Sequence, residues 1–99
     1  MIIVMGTVRI APEAIAAALP AMKRMVAASN AEDGCLLYAY SQDLVDPGLV
    51  RISERWRDRA ALKAHFATPH MGEWRQVIPT LGITDRNLTL YEANDGEPV

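Results

Sequence analysis

The 99-residue sequence has a single cysteine, Cys35. No disulfide can form within the chain, and no Cys/His metal-binding spacing exists. A lone thiol suits a reducing compartment. No apolar run approaches the ~18 residues that a membrane-crossing helix needs. The apolar start, MIIVMGTVRI, has neither the basic opening nor the small-residue cleavage site of a signal peptide. Basic blocks are missing as well. Ten Lys and Arg stand against twelve Asp and Glu, for a net charge of −2, and no basic-aromatic alternation appears, so nucleic acid is not an expected partner. GxGxxG and P-loop patterns are absent, and the carboxylates show no metal-ligand spacing. The expectation is a cytoplasmic protein with no membrane or nucleic-acid partner and no metal site.

What is present is a globular composition, 51% apolar and 22% charged. The length fits one domain over 1–99, with a core of about 2–92 and a polar tail, 93–99. Residues 2–10, IIVMGTVRI, are rich in β-branched types and read as a strand. Its alternation sets Ile2, Val4, Gly6, Val8 and Ile10 on one face and Ile3, Met5, Thr7 and Arg9 on the other. Pro12 and Glu13 open a helix whose apolar stripe is Ile15, Leu19, Met22 and Val26. Residues 30–34 break it. CLLYAYSQ, 35–42, is a second strand with Leu36, Tyr38 and Tyr40 on one face, and DLVDPGL carries turn chemistry. VRISERW, 50–56, is a third strand, with Ile52, Glu54 and Trp56 sharing a face opposite Arg51, Ser53 and Arg55. Asp58 is an N-cap for a helix to about Ala67, which Thr68-Pro69 interrupts. A second helical piece covers about 70–80, and ITDRNLTLYE, 83–92, is the last strand.

The order β-α-β-β-α-β predicts an α+β, ferredoxin-like antiparallel sheet with its helices on one face. The other face keeps Ile3, Met5, Leu37 and Tyr91, an apolar patch unusual on a monomer, which predicts a homodimer through the sheet face. On the helix side, Glu54, Trp56 and His65 converge between sheet and helices. A buried carboxylate is costly unless paired. Either these three are plain core, with Glu54 accepting a hydrogen bond, or they form a pocket. In a pocket, His65 is the proton donor or acceptor, Glu54 orients it, and Trp56 is a flat wall for a planar ligand. Tyr38 and Tyr40 are hydroxyls within reach, and Ile52, Leu62 and Phe66 complete the candidate binding wall. His70, at the next helix start, reads as a capping or surface residue. Cys35 has no His or Asp in its own segment and is a poor nucleophile.

The stretch Glu54-Arg55-Trp56, then Asp58-Arg59-Ala60-Ala61-Leu62, then His65 and His70, resembles the antibiotic biosynthesis monooxygenase family. EDGCLLYAY, 32–40, is similar to that family's E-P-G-C-x-x-Y segment, with Asp33 in the proline place. The resemblance covers about residues 2–92. It implies a dimeric α/β barrel, built from two ferredoxin-like subunits with a pocket in each. It also implies a monooxygenase that oxidises a quinol or phenol-like small aromatic with O₂ and without metal, flavin or other cofactor. His65, helped by Glu54, is then the base, and Trp56 stacks on the ring. Ile52 stands where aromatic-polyketide oxygenases carry a polar residue. Gly6 stands near the asparagine of haem-degrading relatives, which argues against haem cleavage. The alternatives are a non-catalytic, stress-associated dimer that binds a small molecule, and an isomerase of a small phosphorylated ketone that uses the same histidine.

Overall fold

A computed structural model describes all 99 residues. Strand β1 covers Ile2–Arg9, helix α1 Pro12–Asn30, β2 Cys35–Gln42, β3 Leu49–Trp56, α2 Arg59–Phe66, α3 Pro69–Val77 with a 3₁₀ turn Ile78–Thr80, and β4 Thr84–Glu92. The sheet order is β2-β3-β1-β4, and every neighbouring pair is antiparallel. This is the expected ferredoxin-like arrangement. No helix is long and apolar enough to cross a membrane.

Local chemistry sets the boundaries. Pro12 sits in the first turn of α1, where its missing N–H costs nothing. Asp58 caps α2 by accepting from the Ala61 N–H at 2.8 Å. The Thr68-Pro69 interruption is itself a helix start: Thr68 caps α3 and its hydroxyl donates to the His65 carbonyl at 2.7 Å. At the end of α1, the Asn30 amide donates to the Tyr38 carbonyl at 2.9 Å and accepts from the Tyr38 N–H at 3.1 Å. That pair fixes where β2 starts relative to the helix.

Ile2, Val8, Ile10, Val50, Tyr38 and Trp56 form the sheet side of the core. Two expected faces are corrected. Leu36 does not share the face of Tyr38 and Tyr40; it is 55% exposed. The β2–β3 register shifts between Cys35 and Leu37, so Leu36 is the extra residue of a bulge and Cys35 takes the place opposite Trp56. In α1, the buried residues are Ala18, Met22, Met25 and Ser29, so the helix is turned relative to the Ile15/Leu19/Met22/Val26 stripe and Leu19 is exposed. Ala18 lets the helix approach the sheet closely, a face that hydrophobicity alone under-reports. The opposite sheet face is uncovered, with Met5 and Tyr91 52% and 51% exposed.

Gly6 marks the tightest backbone approach. A Cβ there would lie 1.8 Å from the Asn87 carbonyl oxygen on β4. No side chain, asparagine included, fits without parting β1 from β4. Gly6→Ala is therefore expected to cost more than about 1 kcal/mol of stability, seen as a lower urea midpoint. An unchanged midpoint would show that the two strands can separate freely at this point.

Candidate active site

A cavity of about 350 Å³ opens between the sheet and the helices. That volume lies within the size range of small-molecule sites. Of the expected binding residues, Tyr38, Tyr40, Ile52, Leu62 and Phe66 line it, and so do Glu54 and His65. Trp56 does not. It is fully buried beneath the site, and its Nε1–H donates to Glu54 Oε1 at 3.0 Å. The indole that reaches the cavity is Trp74 of α3, stacked on Tyr40 with ring centres 5.8 Å apart and planes at 26°. Strand alternation places Trp56 on the correct face but says nothing of depth, and α2 packs against β3.

The carboxylate that orients His65 is also different from the expected one. His65 Nδ1 lies 2.6 Å from Glu32 Oε2, and His70 Nε2 lies 2.8 Å from the same oxygen. Glu32 lies in the loop after α1, thirty-three residues from His65, and His70 is thereby not a mere cap or surface residue. An ionised carboxylate only accepts, so Nδ1 of His65 carries the hydrogen and Nε2 keeps its lone pair. Nε2 has no protein partner, yet no buried side-chain nitrogen or oxygen is left unpaired. The lone pair therefore meets open space, and His65 lines the cavity. Burial pushes the His65 pKa down, against the Glu32 hydrogen bond and charge that raise it, with His70 and Arg75 lowering it further. The ring is held neutral, as a base must be before it acts.

The other polar groups are mutually satisfied. The Tyr38 and Tyr40 hydroxyls are 2.6 Å apart. Burial raises both phenols, Tyr40 to about 12, so both stay protonated donors at neutral pH. Burial raises the Glu54 carboxyl too, opposed by the Trp56 hydrogen bond and, more weakly, by Arg86, the one arginine that lines the cavity. Burial likewise raises the Cys35 thiol, which disfavours the reactive thiolate. Three residues of this site, Glu32, Trp74 and Arg86, escaped sequence reasoning. Only Glu32 left a trace there, as the first residue of the EDGC segment.

Residues 1–77 match the family model of the antibiotic biosynthesis monooxygenase domain. The chain belongs to this family. The fold of this family member is similar to that of a Deinococcus radiodurans protein described as a candidate antibiotic biosynthesis monooxygenase. Identity is 33%, the TM-score 0.89, and the match covers 100% of this chain and 98% of that one. It is also similar to Rv0793 from Mycobacterium tuberculosis, at 25% identity and a TM-score of 0.81, covering 98% of each chain. Among curated sequences, an uncharacterized Synechocystis protein, sll1783, is 28% identical over 91 residues. That match takes in 92% of this family member but only 62% of the relative's length.

The buried Glu54 carboxyl carries a pH signature. Its folded pKa is raised, so the folded state bears a desolvation cost whenever the carboxylate is ionised. That cost is absent below the unfolded pKa, grows as pH rises, and is complete above the folded pKa. Glu54→Gln keeps an acceptor for the Trp56 N–H and removes the charge. The variant is expected to melt higher than the parent at pH 7.5, with the gain shrinking toward pH 4, as read by thermal unfolding at both pH values.

Proposed function

We propose that this family member is a homodimeric, cofactor-independent monooxygenase that oxidises a quinol or phenol-like small molecule with O₂. One observation carries the reading: an imidazole lone pair, His65 Nε2, opens into a largely apolar cavity while Glu32 locks the opposite nitrogen. In such a site the imidazole removes the phenolic proton, and the electron-rich phenolate passes one electron to O₂. Recombination of the two radicals forms a C–O bond to the ring. Loss of water then breaks the O–O bond and leaves a carbonyl. In sum, a phenol and O₂ give a quinone and water, with no outside reductant. The enclosed apolar walls keep bulk water from the intermediate. Trp74 and Tyr40 present the flat surface on which the ring lies. The apolar face bearing Met5 and Tyr91 supports pairing with a second copy, and the single free thiol supports a cytoplasmic setting.

Arg86 favours a second reading. A guanidinium at the cavity suits an anionic substrate, and an isomerase of a small phosphorylated ketone would move a proton with the same His65. Oxygen uptake separates the two, because an isomerase consumes none. With a panel of one- and two-ring quinols, the protein is expected to accelerate O₂ consumption above autoxidation, and His65→Ala to reduce that acceleration by about 10²-fold or more. Uptake that is unchanged in His65→Ala rules out this histidine as the base. Trp74→Ala should chiefly raise KM, since it removes binding surface and no reacting group.

A further inference from the structure

The chain has only two histidines, and both end on the same carboxylate oxygen. We infer that Glu32, His65 and His70 form a binding site for a divalent transition-metal ion of the zinc type. One carboxylate oxygen and two imidazole nitrogens lie within 4.8 Å of one another, delivered by three different segments: the loop after α1, helix α2 and the first turn of α3. Two imidazoles and a carboxylate are a donor set for zinc, iron or copper, whereas magnesium and calcium want oxygen throughout. Tetrahedral zinc with bonds of about 2.0–2.2 Å sets its ligand atoms about 3.3 Å apart. The two oxygen–nitrogen contacts of 2.6 and 2.8 Å need to open by about 0.7 and 0.5 Å to reach that spacing, and the two imidazole nitrogens, within 4.8 Å of each other, need to draw together.

The site has a closed side and an open side. The His65 side chain is enclosed, while those of Glu32 and His70 are 12% and 21% exposed, so an ion can enter from the helix surface rather than through the cavity. The ion would meet one carboxyl oxygen and two imidazole nitrogens, and water can fill the remaining position. Arg75 is the nearby cation that opposes it, and its guanidinium is already engaged by the Phe66 carbonyl.

Metal binding here would change what the cavity sees. The ion takes Nδ1 of His65, and the hydrogen formerly on Nδ1 is carried on Nε2 instead. No proton is lost overall. The group facing the cavity then turns from an acceptor into a donor, so a bound ion would switch off a base at that nitrogen. This last consequence rests on the monooxygenase reading; the site itself does not.

The test is a titration of the intact protein with Zn²⁺ against a chromophoric chelator, together with long-range ¹H–¹⁵N spectra of the two imidazoles. One ion per chain is expected. Cys35→Ser should bind as tightly as the parent, and His70→Ala should weaken binding by at least the roughly 10–100-fold that even an outer partner of a ligand costs. His70→Gln serves as a second variant should His70→Ala not fold. The spectra should place the His65 hydrogen on Nδ1 in the metal-free protein and on Nε2 with zinc. Absence of stoichiometric uptake by the folded parent overturns the site, as does undiminished uptake in both His70 variants or a hydrogen that stays on Nδ1. Because uptake is read without turnover, a protein that binds zinc but in its metal-free form consumes no O₂ upholds the site and sinks the monooxygenase reading.

Discussion

The candidate site depends on one carboxylate oxygen, Oε2 of Glu32, held between two imidazoles at 2.6 and 2.8 Å. It joins the loop after α1 to α2 and α3. It also decides the chemistry of His65. Without a carboxylate on Nδ1, a buried imidazole could present either nitrogen, or a proton on both, to the cavity. With it, one tautomer is selected and the lone pair points one way. The hydrogen bond is short, charge-assisted and little exposed to solvent, the setting in which such bonds contribute most.

The remaining polar groups keep the cavity apolar in effect while lining it with oxygen and nitrogen. Glu54 accepts from the Trp56 indole beneath it, and Tyr38 and Tyr40 satisfy each other. Each is a local answer to the same constraint, that a buried polar atom without a partner costs about 1–3 kcal/mol. A wall built of self-paired groups can face a planar hydrocarbon without asking it for hydrogen bonds. It can still offer one where the substrate has a hydroxyl. Trp74 stacked on Tyr40 extends that wall from the sheet to α3.

Much of the architecture was legible in the sequence. The β-branched run at 2–10, the Asp58 cap and the Thr68-Pro69 break each state their local structure, and together they yield the βαββαβ order. The face shared by Ile52, Glu54 and Trp56 followed from period-two alternation, and His65 reached the cavity as its place beside Leu62 and Phe66 implies. What escaped has a common physical cause. The bulge at Leu36 is a property of the β2–β3 pair and is invisible in either strand. The buried face of α1 is chosen by Ala18 and Ser29, whose small size decides close approach while hydrophobicity ranks them low. The Glu32 contact spans thirty-three residues and two histidines on separate helices, so no spacing rule reveals it. Depth below the surface separated Trp56 from Trp74, and alternation carries no information about depth.

The Asn30 side chain has a consequence for how copies of this chain can meet. β2 is the outermost strand on its side of the sheet. Its outward-facing amide and carbonyl at Tyr38 are already taken by Asn30, which imitates one residue of a neighbouring strand. A foreign strand seeking to extend the sheet there finds its ladder blocked in the middle, a form of protection against open-ended fibrous growth. Strand addition is thereby blocked at the β2 edge of the sheet.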